Sequence, residues 1–322
     1  MPYSNYPHGF TNGVTIRGVP LQQSQPGQVF FVNNSSVLAD GGIGGSNGNP
    51  GTYQKPFSTI DYAVGRCVAG RGDLILVMPG HAETISTNAI ITLDVAGVAI
   101  LGLGVGSARP TLTFTAAAAT INVTAANITV SNILHVANFA DVATAYTNNA
   151  GPEFCIDNCE FRDTSSILNF LSTLTTTVSV SADGLMYVKN KVFGLGTTAA
   201  TTPIKVLGTI SRLTITDNRV VLAALSNTSA LLAHAALVVT NLEMARNNVF
   251  RPSTDTSTGG MLITRTSTTN TGMVYDNKVK SLDVAGMLIV TTGSAYGFTN
   301  NLMSGTADTS GILIPAADSD GS

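Results

Sequence analysis

The chain has 322 residues, of which 44% are hydrophobic and only 11% charged, with a formal net charge of −3. That apolar fraction excludes a disordered chain despite the abundance of Gly, Ser and Thr. The charge balance argues against a nucleic-acid binder, which needs a Lys/Arg surplus to neutralise phosphates. Three sparse cysteines, Cys67, Cys155 and Cys159, form no disulfide framework and no CxxC zinc pair.

The first residues, MPYSNYPHGF, lack the basic start and apolar core of a signal peptide. No apolar run reaches the roughly 18 residues of a membrane span, so a soluble protein without a membrane partner is expected. Four of the eight tyrosines lie within the first 62 residues, with Pro2, Pro7, Pro20, Pro26 and Pro50, and residues 1–50 contain two strand-like pieces, 13–19 and 28–32. Between Asn33 and Pro50 the chain is Gly/Asn/Ser-rich and reads as loop. This part predicts an N-terminal arm, laid along its own domain or gripping another subunit.

Residues 51–85 carry the clearest local order. Ser58 followed by Asp61 predicts a capped helix start. Ile60, Ala63, Val64, Cys67 and Val68 then form a one-faced helical stripe. Gly70-Arg71-Gly72-Asp73 turns the chain, and Leu74-Ile75-Leu76-Val77-Met78 predicts a strand buried on both faces, closed by Pro79-Gly80. With Lys55-Pro56-Phe57 and Thr59-Ile60 ahead of it, this order resembles the entry segment of right-handed parallel β-helix proteins of the pectin-lyase-like superfamily. The resemblance implies an all-β solenoid whose open end is plugged by the helix.

From residue 86 to 315 a weak repeat supports that reading. An apolar or Thr residue, a polar residue and Asn recur near Asn132, Asn158, Asn190, Asn218, Asn247, Asn277 and Asn300, with Gly102 in the same place earlier. The interval averages about 28 residues, a solenoid period. It predicts about eight coils stacked at roughly 4.8 Å, some 40 Å in all. The asparagines are expected to form a ladder, tolerating left-handed backbone at a corner and bonding up and down the stack. The residues before them, Asp157, Lys189, Asp217, Arg246, Asp276 and Thr299, alternate in sign from Asp157 to Asp276, as neighbours in a stacked column should. The open C-terminal end, Ile312-Leu313-Ile314-Pro315 with the tail 316–322, is expected to need a cap from a partner or a loop.

Candidate chemistry is sparse. Glycoside hydrolysis needs two carboxyl groups on one face, and the densest acids are Glu153, Asp157, Glu160 and Asp163, with Asp183 on a loop. These read as a charged face. The histidines His8, His81, His135 and His234 show no metal spacing. Arg71-Gly72-Asp73 lies in a turn, and Gly102 to Gly106 is followed by no helix that would make it a phosphate loop. No catalytic, cofactor-binding or metal site is expected, and no cofactor.

The pieces 12–20 and 30–36, joined to 51–63 and 71–85, resemble tailed-bacteriophage β-helix proteins of the head-decoration kind. This resemblance implies a non-enzymatic virion protein, made in the host cytoplasm and bound to the capsid exterior. Its partner would be the major capsid protein lattice, its state a homotrimer, and its N-terminal region the anchor. The alternative is a receptor-binding tailspike that binds or depolymerises host surface polysaccharide.

Overall fold

The computed structural model describes residues 15–16, 19–20, 27–35, 42–177, 182–195, 202–222, 230–234, 238–251, 260–265, 270–281, 287–290, 296–304 and 312–314. The arm residues 1–14 and the tail 316–322 lie outside them. Among the described residues three main sheets of 10, 10 and 8 strands are accompanied by two two-stranded ones. Each turn gives one strand to each main sheet and then stacks on the turn before, as Ala99–Gly102, Thr111–Phe114 and Thr120–Val123 do on Leu74–Val77, Ala82–Ile85 and Asn88–Leu93. All pairings along the three sheets are parallel until the last strand of the second. The chain is an all-β parallel solenoid.

The solenoid has about six turns, fewer than the eight expected. Strand residues alternate inward and outward because side chains project to opposite faces of a pleat. The inward set forms one continuous apolar column from Phe30 to Phe298. Within it His135 stacks on Phe161 at 4.5 Å, and Phe161 stacks in turn on Tyr187 at 6.2 Å.

The entry segment differs from expectation in three ways. Helix α1 spans only Ile60–Val64, so Ile60, Ala63, Val64 and Cys67 are buried while Val68 is 51% exposed. Its N-cap is Thr59, not Ser58. Ser58 is bonded to Asn47, and the Asp61 carboxylate accepts from the Thr92 N–H at 2.9 Å, tying the helix to the third sheet. The strand Leu74–Val77 is not buried on both faces: Ile75 and Val77 enter the core, whereas Leu74 and Leu76 point outward and are half-buried. A solenoid strand has its core on one side only, so an unbroken apolar run leaves half its side chains outside.

The expected arm is in part core. Val29–Val32 is the first strand of the first sheet, parallel to Leu74–Val77, with Phe30 and Val32 buried. Asp73 pins this strand to the entry turn. Its oxygens accept from the N–H groups of Gln28 and Val68, both at 2.7 Å, and from the Arg71 guanidinium at 2.6 and 2.7 Å. Burial alone would raise the Asp73 pKa, but Arg71 and the two backbone donors hold it below the usual carboxylate value. Further upstream, Thr15–Ile16 and Val19–Pro20 pair antiparallel. At the other end Ile312–Ile314 runs antiparallel to Asn301–Ser304 and is itself the end strand of the second sheet.

Candidate functional site

The predicted ladder exists, displaced by one residue at both ends. Cys159 N–H donates to Asn190 Oδ1 at 2.8 Å, Asn190 N–H to Asn218 Oδ1 at 2.8 Å, and Asn218 N–H to Asn247 Oδ1 at 3.1 Å. Asn247 N–H donates to Asn277 Oδ1 at 3.0 Å, and Asn277 N–H to Asn301 Oδ1 at 3.1 Å. Each side-chain amide also donates to a strand carbonyl of the preceding turn, as Asn247 Nδ2 does to Ile215 O at 2.8 Å. Every ladder asparagine is buried. Such a group is tolerated inside only because both ends of its amide are used.

The left-handed corner is a different column, one residue earlier. It comprises Asn132, Asn158, Lys189, Asp217, Arg246, Asp276 and Asn300, with φ between 50° and 60°. Asn132, Asn158 and Asn300 are therefore corner residues, and Ile133, Cys159 and Asn301 hold the adjoining position. Each corner N–H from Asn132 to Asp276 reaches a carbonyl on the next turn, as Lys189 N–H does to Thr216 O at 3.0 Å. Gly102 stands opposite Asn132, where a Cβ would lie 2.2 Å from the Asn132 carbonyl oxygen. A second left-handed column, absent from the sequence reading, precedes the first sheet: Gly97, Asn127, Glu153, Gly184, Arg212 and Asn241. Only the recurrence of Gly and Asn at Gly97, Asn127, Gly184 and Asn241 could have signalled it.

This geometry corrects the charge column. Asp157 is the last residue of its strand and pairs in register with Val188, so it does not belong to the corner, nor does Thr299. Lys189, Asp217, Arg246 and Asp276 remain and still alternate. Arg246 grips Asp217 through Nε at 2.8 Å and Nη2 at 3.0 Å. That bond, more than any other cause, lowers the Asp217 pKa below its ordinary value.

The acidic cluster is dense in sequence and dispersed in space. Glu153, at the left-handed corner before the first sheet, pairs with Arg212 at 2.7 Å. Asp157, outward on the first sheet, accepts from Ser131 Oγ at 3.1 Å. Glu160, outward on the second sheet, meets Arg109 at 3.2 Å and also Arg162. Asp163 is buried and accepts from the N–H groups of Phe170 at 2.9 Å and Leu195 at 2.8 Å. Asp183 accepts from Ser211 N–H at 2.7 Å. Every one of the five carboxylates holds scaffold.

Other reactive groups are likewise occupied. Burial lowers His135 to about 3, leaving it neutral with Nε2 at 2.7 Å from the Tyr146 hydroxyl. Burial raises the thiols of Cys67 and Cys159 to about 12 and of Cys155 to about 11, so none is a ready nucleophile. His81 Nδ1 accepts from the Asn34 N–H, which leaves its Nε2–H for Glu83 at 3.1 Å; Glu83 also accepts from Ile60 N–H at the helix start. This chain of bonds joins the first strand to α1. Among the described residues no group of three His, Cys, Asp or Glu side chains converges as a metal site would, and no helix is long and apolar enough to cross a membrane.

No protein-family model and no curated protein matches the chain. Solved structures with a likeness include a rhamnogalacturonan lyase, at 11% identity and a TM-score of 0.37, over 89% of this chain and 90% of that one. A GH136 lacto-N-biosidase from Eubacterium ramulus follows at 9% identity and a TM-score of 0.31, over 86% of this chain and 67% of the other. Superposition this loose carries no argument about chemistry. What the chain's own geometry defines is a parallel β-solenoid in which Glu153, Asp157, Glu160, Asp163 and Asp183 are each engaged by neighbouring turns or side chains.

Proposed function

We propose that this chain is a non-enzymatic structural protein of a tailed-phage virion. In this reading it decorates or cements the capsid exterior as a homotrimer, wound right-handed in the pectin-lyase-like manner, with its N-terminal region against the capsid lattice. The observation that supports it is the commitment of Glu153, Asp157, Glu160, Asp163 and Asp183 to backbone donors, a hydroxyl and arginines. Carboxylates so engaged serve a rigid shaft better than proton transfer. The likeness of residues 10–85 to head-decoration proteins supplies the rest.

The test is co-sedimentation of the purified chain with mature, undecorated capsids. Binding is expected, and failure to bind overturns the reading, as does release of reducing ends from host surface glycan. The anchor is tested by removing residues 1–26. A longer deletion to residue 50 would take Phe30 and Val32 from the core and Gln28 from Asp73, and would confound anchoring with folding.

A further inference from the structure

A strand with its core on one side should alternate apolar and polar residues. In the first sheet Thr129–Ser131 and Thr214–Thr216 follow the rule, with Val130 and Ile215 buried while Thr129, Ser131 and Thr214 face outward. Met186–Val188 departs from it singly. The first three strands break it together. In strict register their outward columns run Val29, Leu74, Ala99 and Phe31, Leu76, Leu101. All six are apolar; Val29 is 42% exposed and the others are half-buried. Tyr53, itself 48% exposed, stands edge-on to Phe31 with ring centres 5.6 Å apart.

Apolar runs without alternation mark strands packed on both faces. Three adjacent strands therefore carry the signature of a second layer, over a patch roughly 10 Å across the rungs. Left in water, such a patch costs free energy.

The chain supplies a cover just upstream. Thr15–Ile16 and Val19–Pro20 pair antiparallel as a sheet of their own, with Ile16 directly opposite Val19. Directly opposite residues share a face, so one face of this hairpin is apolar at both positions. Val14 and Leu21, two residues further out on either side, are apolar as well. A two-stranded hairpin is marginal in water on its own and needs an apolar surface to lie on. Residues 21–28 tether it to Val29, the first residue of the patch, with a reach of up to about 26 Å.

We propose that the hairpin 15–20 lies on the outer side of the first three strands of its own chain. Ile16 and Val19 face Leu74, Leu76 and Leu101 across a second, shorter layer. The hairpin of a second copy offers the same chemistry, but a short tether holds the chain's own hairpin at an effective concentration of about millimolar. The proposal rests on the first sheet and the hairpin, and is independent of capsid attachment.

The test is hydrogen–deuterium exchange in the full chain, read over residues 14–21. The variant is Leu76→Lys with Leu101→Glu, two outward positions in register, so the new charges attract and the core is untouched. Hairpin amides in the parent should exchange at least about tenfold more slowly than in the variant, at low and high protein concentration alike. In a second variant, Ile16→Asp should bare the patch and raise the fluorescence of an apolar dye; adding Leu76→Lys and Leu101→Glu should abolish that gain. Unchanged exchange at Leu242–Ala245 reports that the solenoid remains folded. Equal exchange in parent and variant, protection that appears only as concentration rises, or no dye gain in Ile16→Asp would each overturn the proposal. Capsid sedimentation reads the other proposal, so either one fails without the other.

Discussion

At the corner between the first and second sheets, successive turns place Lys189, Asp217, Arg246 and Asp276 one above another, each a left-handed residue with its N–H bonded to the next turn. Two residues further along the same turns, the outer face stacks Lys191, Arg219, Asn248 and Lys278. The rung spacing is the same and the outcome is opposite. The corner alternates in sign and sits against the buried asparagine ladder, so its charges serve the coil. The face sets Lys191 directly against Arg219, so these two charges oppose the coil.

The comparison is sharpest where the ladder itself is cut. Asn247→Ala strips Asn218 N–H of its acceptor and Ile215 O of a donor, both in buried surroundings. A loss of about 3 kcal/mol or more is expected in denaturant unfolding. A loss below about 1 kcal/mol would mean the turns are held by backbone pairing alone.

A smaller effect is expected at the corner. Arg246→Glu removes the bidentate grip on Asp217 and sets three acids in succession, lowering the unfolding midpoint at low salt and less at high salt. Acid should reproduce part of it. The folded-state pKa of Asp217 is lowered, so its contribution is complete above the unfolded value near 4 and is lost as pH falls through the folded value. Unfolding measured from pH 5 downward should show this slope in the parent and a shallower one in Arg246→Gln.

The smallest effect has the opposite sign. Arg219→Glu makes the face alternate and should raise stability by about 0.5 kcal/mol at low salt. A clear loss instead would show that Arg219 has a structural partner, and would remove the contrast between face and corner.

Much of the solenoid was legible in the residues. The period of about 28 came from Asn recurrence, and an amide that must be satisfied at both ends leaves a repeated letter in the sequence. The ladder's register differs from the sequence expectation at Asn132, Asn158 and Asn300, because Asn suits both a left-handed corner and a stacked amide, and letters alone do not separate the two uses. The acidic cluster misled for a related reason. Proximity along the chain says little once a left-handed corner turns Asp157 and Glu160 onto different sheets.

The sequence by itself determined the class of fold, the entry order of helix, turn and strand, and the asparagines that cross-link the turns. Each rests on local backbone preference or on a repeat one turn long. Only the tertiary structure decided that Val29–Val32 is core and not arm, that the run from Leu74 keeps half its side chains outside, and that Lys191 and Arg219 meet across a rung. Those facts depend on which residues, about one turn apart or more, come into register. Register is set by the summed lengths of intervening loops, which no short stretch of sequence encodes.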